Sequence, residues 1–360
     1  MLLENLHHKL ENFTLIICSL FLCIFSSCVK IDEPDNSPRG NFEALWKIMD
    51  EKYCFFSYKD VDWDEIHDIY SKRVKDKMTD EELFNLLNEM LQELKDGHVN
   101  LISSFDVGRY WKWFEDYPEN FDMKLIDNYL GTDYSIASGM WYKTLNDSIG
   151  YIYYGDFSLG ISASSLDYIL NKFTTCKGLI IDVRNNGGGL LSNATEFASR
   201  FTNEKTLVGY IQHKTGKGHN DFSEPFPEYI EPSPRIRYQK PVVVLTNRKC
   251  FSATNDFVSS MRLFPRVTIM GDKTGGGSGL PMSSELPNGW AVRFSACPIL
   301  DENKQQTESG VNPDIFIKWD DGDGTQDPFI EAARKYLGED GDSQKLQQAT
   351  TAENTHLRNA

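Results

Sequence analysis

Residues 242–261 constrain this chain more than any other stretch. Val242, Val243, Val244 and Leu245 form a short apolar run rich in β-branched side chains, the pattern of a strand buried on both faces of a parallel sheet. Asn247 to Phe251 break the run. Beyond Ser252, Ala253, Phe257, Val258 and Met261 return at helical spacing, and Pro265 closes the pattern. A serine therefore stands between a buried strand and a helix. There its hydroxyl can face a crevice at the strand's carboxyl end, with the free N–H groups of the helix's first turn aimed at developing negative charge. The position suits an acyl-transfer nucleophile. It also suits a plain helix cap, and only distant partners decide between the two.

The rest of the chain continues the alternation. Residues 178–183 form another buried strand, leading through Arg184-Asn185-Asn186-Gly187-Gly188-Gly189 into a helix over 190–201. Strands at 148–154, 206–212, 289–294 and 315–317, with helices at 162–173 and 328–336, give an α/β core from about residue 140 to 336. Helical patterns at 42–54, 63–77 and 80–95 precede it. The third opens on a capping box, Thr79 with Glu82, and sets Leu83, Leu86, Leu87, Met90, Leu91 and Leu94 on one face. These helices form a subdomain too small to stand without support from the rest of the chain. Residues 110–130 are aromatic and charged without a clear period, and residues 213–239 are a long surface excursion of the kind that carries function.

The 360 residues carry a formal net charge of −16, which excludes a nucleic-acid partner that would need a basic surface. Residues 13–25 are an apolar run too short to span a bilayer, followed by Ser26, Ser27 and Cys28. This resembles a bacterial lipoprotein signal, with 1–27 removed and Cys28 lipidated. Residues 28–40 then read as a tether, and the acidic stretch 32–35 resembles export signals of surface lipoproteins in Bacteroidetes. The expected location is the cell envelope, at the periplasmic face or the surface of such an outer membrane. Residues 338–360 read as a disordered tail. Of seven cysteines, Cys54, Cys176, Cys250 and Cys297 fall in the folded part, spaced for neither a disulfide framework nor a zinc site. No motif implies a metal or cofactor.

A serine nucleophile needs a base and oxyanion donors. Gly187 to Gly189, between strand and helix, let backbone N–H groups approach a ligand; a dinucleotide fingerprint fails because Ser192 stands where its third glycine belongs. For the base, His98 follows a helix end and a glycine, where a side chain can be presented to a cleft or can simply complement the helix dipole. His219 is a second candidate, and Lys273 would make a serine–lysine dyad. Asp256, just past the nucleophile, would favour basic substrate side chains if it faces the cleft.

Five motifs occur in order: Asp96-Gly97-His98; Asp182-Val183-Arg184-Asn185-Asn186-Gly187-Gly188-Gly189; Phe251-Ser252-Ala253; Gly271-Asp272-Lys273-Thr274-Gly275-Gly276-Gly277; and Glu308-Ser309-Gly310-Val311-Asn312-Pro313-Asp314. Together they resemble the family of C-terminal processing (tail-specific) proteases and the tricorn protease core. The resemblance implies a crotonase-like (ClpP/crotonase) α/β core over 106–337, a helical N-terminal subdomain over 41–105, and serine peptidase activity on peptides or unfolded chain. In the processing branch the base is a lysine, and the matching position here is Gly277. The tricorn-like branch uses a histidine and a glutamate. That match makes Ser252 the nucleophile, His98 the base, Glu308 its supporting carboxylate, and the N–H groups of Gly188 and Ala253 the oxyanion hole. Tricorn links its histidine to the glutamate through a serine where this chain has Gly97. Residues 101–146 are too few for the PDZ domain of the processing branch. The same residues also admit an esterase, and the fold admits a non-catalytic binding lipoprotein, since retinoid-binding proteins of the eye share it.

Overall fold

The computed structural model describes residues 34–320 and 324–338. The expected signal with Cys28 and the tail beyond Gly338 lie outside them. Helix α1 (Pro38–Lys52) starts on Ser37, whose hydroxyl accepts from the Gly40 N–H at 3.0 Å, with a proline in its first turn. Residues 38–40, expected in the tether, thus belong to the first helix. A short α2 (Phe56–Lys59) and α3 (Trp63–Ser71) lead to α4 (Asp80–Gln92), where the expected capping box is present in both directions. Helix α3 ends at Ser71 rather than at residue 77.

The chain continues through β1 (Asn100–Ile102), α5 (Lys112–Glu115), α6 (Met123–Leu130), β2 (Ser135–Ala137) and β3 (Met140–Thr144). Then come β4 (Gly150–Tyr153), α7 (Ala163–Lys172), β5 (Leu179–Asp182), α8 (Leu191–Ala198), β6 (Thr206–Ile211) and β7 (Phe226–Ile230). The last part holds β8 (Val242–Thr246), α9 (Ala253–Met261), β9 (Val267–Gly271), β10 (Gly279–Glu285), β11 (Ala291–Leu300), β12 (Ile315–Phe316) and α10 (Pro328–Gly338). Where residues 110–130 showed no period, the chain forms the short helices α5 and α6, and the β2–β3 hairpin follows. The excursion 213–239 carries an edge strand, β7.

One sheet has the order β12-β9-β8-β5-β4-β3-β2, parallel from β12 to β4 and antiparallel beyond. Its central strands β5, β8 and β9 are buried on both faces, as the apolar runs require. Val242 and Val244 join Leu179 and Ile181 in a core under α7, α8 and α9, while Val243, Leu245 and Ile180 pack beneath α6 and α10. The second sheet is antiparallel, ordered β1-β11-β6-β7, with β10 also paired to β11.

Helices α1 to α4 have no core of their own. Leu87, Met90 and Leu91 share a cluster with Val292, Phe294 and Ala296 of β11, so the helical lobe is the cover of the second sheet. Strand β1 continues from that lobe and pairs Asn100 with Arg293, which draws the α4–β1 loop over the carboxyl ends of β5 and β8. Among the described residues, no helix is long and apolar enough to cross a membrane.

Candidate active site

Ser252 lies between β8 and α9 with φ 58° and ψ −126°. A left-handed backbone at a side-chain-bearing residue costs about 1–3 kcal/mol and persists only where surroundings over-determine it. They do so here: Ser252 N–H donates to the Gly276 carbonyl at 2.8 Å, and the preceding Phe251 N–H to the Asn186 carbonyl at 3.1 Å. The helix-cap reading fails, because the hydroxyl bonds no N–H of α9. Instead, Ser252 Oγ lies 2.9 Å from His98 Nε2, a contact across 154 residues of sequence.

His98 sits in a tight turn after α4. Asp96 Oδ1 accepts the His98 backbone N–H at 2.8 Å, and the imidazole rests on the Phe251 ring at 4.7 Å between centroids. Burial pushes its pKa down to about 4, against the opposing pull of Asp96 and with help from Arg293 and Lys59. The ring is therefore neutral near pH 7, and Nε2 accepts the serine proton when the remaining hydrogen is on Nδ1. Nδ1 is buried and has no hydrogen-bond partner among the described residues.

Glu308 does not reach His98. Its Oε1 pairs with Lys59 Nζ at 2.9 Å, and its Oε2 accepts the Ser278 N–H at 2.9 Å. Lys59, at the end of α2, also lies 3.5 Å from Asp96 Oδ2, which accepts from Tyr53 Oη at 2.9 Å and Ser295 Oγ at 3.0 Å. Two buried carboxylates thus share one ammonium. Burial and the Asp96 charge raise Glu308 to about 7, with Lys59 opposing. Burial also works against Asp96, yet Lys59, His98 and the hydroxyls hold it below the usual carboxylate range. Asp96 is consequently the ionised member and the one whose charge His98 feels.

The missing relay serine has a steric reason. A Cβ on Gly97 would lie 2.7 Å from Trp113 Nε1 and 2.9 Å from Phe251 Cζ. Those two rings stack 4.2 Å apart and fill the space a relay hydroxyl would need.

A cavity of about 250 Å³ opens on the pair, lined by His98, Ser252, Ala253, Gly189, Asp256, Arg293 and apolar side chains. Gly188 touches the nucleophile turn, since a Cβ there would meet Ser252 Cβ at 2.8 Å, but its N–H donates to Asn186 Oδ1 at 2.9 Å. The expected donor is thus already engaged. Gly189 lines the cavity instead, and its N–H and that of Ala253 have no acceptor among the described residues. The rival bases are elsewhere: His219 Nε2 pairs with Asp50 at 2.7 Å, and Lys273 does not line the cavity. Lys59, Trp113 and Arg293 escaped the sequence reading, each brought to the site by contacts far apart in the chain.

The profile of peptidase family S41 matches residues 148–317, and that of the tricorn protease C1 domain matches residues 34–92. A crystal structure of a candidate peptidase from Parabacteroides merdae is 60% identical, with a TM-score of 0.81 over 84% of this chain and 97% of that one. The carboxy-terminal processing protease CtpA of Bacillus subtilis is 24% identical over 174 residues, 48% of this chain. The chain spans 35% of that relative's length. Mature CPAF, at 13% identity and a TM-score of 0.66 over 84% of this chain and 96% of that one, shares the fold. The S41 match contains Ser252 and Glu308, the C1 match covers the helices that carry Lys59 and lead to His98, and the chain belongs to peptidase family S41.

Proposed function

We propose that the protein is a serine peptidase that cleaves peptides or unfolded polypeptide through an acyl-enzyme. The observation that carries this is the 2.9 Å contact between Ser252 Oγ, held on a strained turn at the mouth of a cavity, and the Nε2 of a histidine whose burial keeps it neutral. The names of the processing protease and the candidate peptidase it resembles support the same reading.

In the first half-reaction, Ser252 Oγ attacks the scissile carbonyl as its proton passes to His98 Nε2. The N–H groups of Ala253 and Gly189 take the oxyanion, in the place expected of Ala253 and Gly188. His98 then gives the proton to the leaving amine nitrogen as the C–N bond breaks. Water attacks the acyl-enzyme, its proton goes to His98, and the carboxylic acid leaves as the proton returns to Ser252. Asp96 stabilises the imidazolium through space, with Glu308 acting one step removed, through Lys59.

The expected crotonase-like core accords with the parallel sheet that presents Ser252 at the end of β8. Labelling of residues 29–338 with a fluorophosphonate tests the activity. Ser252→Ala and His98→Ala should abolish labelling and lower turnover about 10⁴- to 10⁶-fold with the circular dichroism unchanged. A folded wild type that takes up no probe would instead support a binding protein. The Cys28 pattern supports lipid anchoring at the cell envelope, and Cys28→Ser should then move the protein from the membrane fraction to the soluble one.

A further inference from the structure

The catalytic cavity is electrically lopsided. At the His98 end stands Arg293, whose guanidinium donates to Asn100 Oδ1 at 3.3 Å and whose charge is felt by His98 and Asp96. Elsewhere in the cavity is Asp256, one helical turn beyond Ser252 and on the same face of α9. Asp256 has no hydrogen bond or ion pair for its carboxylate among the described residues. Burial, and secondarily the charge of Glu228 on β7, raise it to about 7. Among the described residues no hydrogen bond or ion pair joins Arg293 to Asp256. Leu190, Leu280, Pro281 and Ile299 supply apolar walls between.

Such a carboxylate is poorly satisfied while the site is empty, and a cation brought to it along apolar walls satisfies it. The stem of a lysine or arginine matches the walls and its head matches the carboxylate. We infer that Asp256 receives the basic side chain of the residue that supplies the scissile carbonyl, so that the protein cleaves after lysine or arginine. The inference rests on the proposed peptidase activity for its consequence, but the receiver is a binding site in its own right.

The test uses two aminocoumarin peptide amides that differ only in lysine or the uncharged, equally long norleucine beside the scissile bond. A charge-assisted contact of this kind gives the lysine substrate an advantage in kcat/KM of about tenfold or more. In Asp256→Asn that ratio should collapse toward one, whereas a purely structural role for Asp256 would leave the ratio where it was. A wild-type ratio at or below one, or a ratio that Asp256→Asn does not move, overturns the proposal. Calorimetry on Ser252→Ala with the same peptides reads the receiver without turnover. Tighter binding of the lysine peptide, lost when Asp256→Asn is added, supports it, and equal binding overturns it. Selective binding with no fluorophosphonate labelling removes the peptidase reading alone, while labelling without lysine preference removes the receiver alone.

Discussion

His98 and Gly97 are neighbours whose environments set opposite demands. Burial of His98 places its pKa at about 4, far below an ordinary histidine near 6.5. Only the unprotonated ring can take the serine proton, so kcat/KM for the uncharged norleucine substrate should stay level as pH falls and drop only through about 4, while the lysine substrate should lose its advantage earlier, as Asp256 takes a proton near 7. A rate profile showing the limb near 6.5 would mean that the imidazole is hydrated in solution. Gly97 sits where a side chain would strike Trp113 and Phe251. Gly97→Ser should therefore not install a relay but overpack the stack, destabilising the fold by about 1–3 kcal/mol and lowering activity through the displaced Phe251. Thermal unfolding should show the loss, with partial recovery when Trp113→Ala is added. At this scale the meeting of Ser252 and His98 was legible through the five motifs in order and not from either residue alone, because each stands at a local break, strand to helix or helix to strand, that a plain cap would also fill. Glu308 was legible as a residue but not in its contacts: nothing near it in sequence reveals that Lys59 occupies its oxygen.

Short elements carry the support for the site. The one-turn helix α2 exists in the sequence only as an aromatic run followed by Tyr58 and Lys59, yet it delivers the ammonium shared by Asp96 and Glu308. Lys59→Met would leave both carboxylates buried without a cation, a loss of about 3–5 kcal/mol. The sign of its pH dependence follows from the raised Glu308. Once unpaired, the native carboxylates hold protons that the unfolded chain releases, so the deficit should grow as pH rises through 7. Urea unfolding of wild type and variant at pH 6 and pH 8 measures this, and an equal deficit at both would contradict it. Strands β5 and β8 were readable because burial on both faces leaves an apolar run with nothing to mistake. The β2–β3 hairpin and β10 were not, since short strands with one face toward solvent mix polar and apolar residues and their pairing depends on partners elsewhere.

At the level of the molecule, the helical lobe and the rest of the chain are one folding unit, because α1 to α4 and β11 bury each other. Residues 106–338 expressed alone should lack a cooperative thermal transition, expose the β11 face to a hydrophobic dye and take up no fluorophosphonate. A soluble, cooperatively folding fragment would show that the second sheet needs no cover. The wider arrangement has a further consequence. The nucleophile turn grows out of the core beneath α9, while the base grows out of the core between the lobe and the second sheet. The 2.9 Å between them is thus a gauge of how the two halves are seated. A slip of an ångström along that seam parts the two atoms before any helix or strand melts, so catalysis is the first property this protein loses and the most sensitive reporter of its assembly.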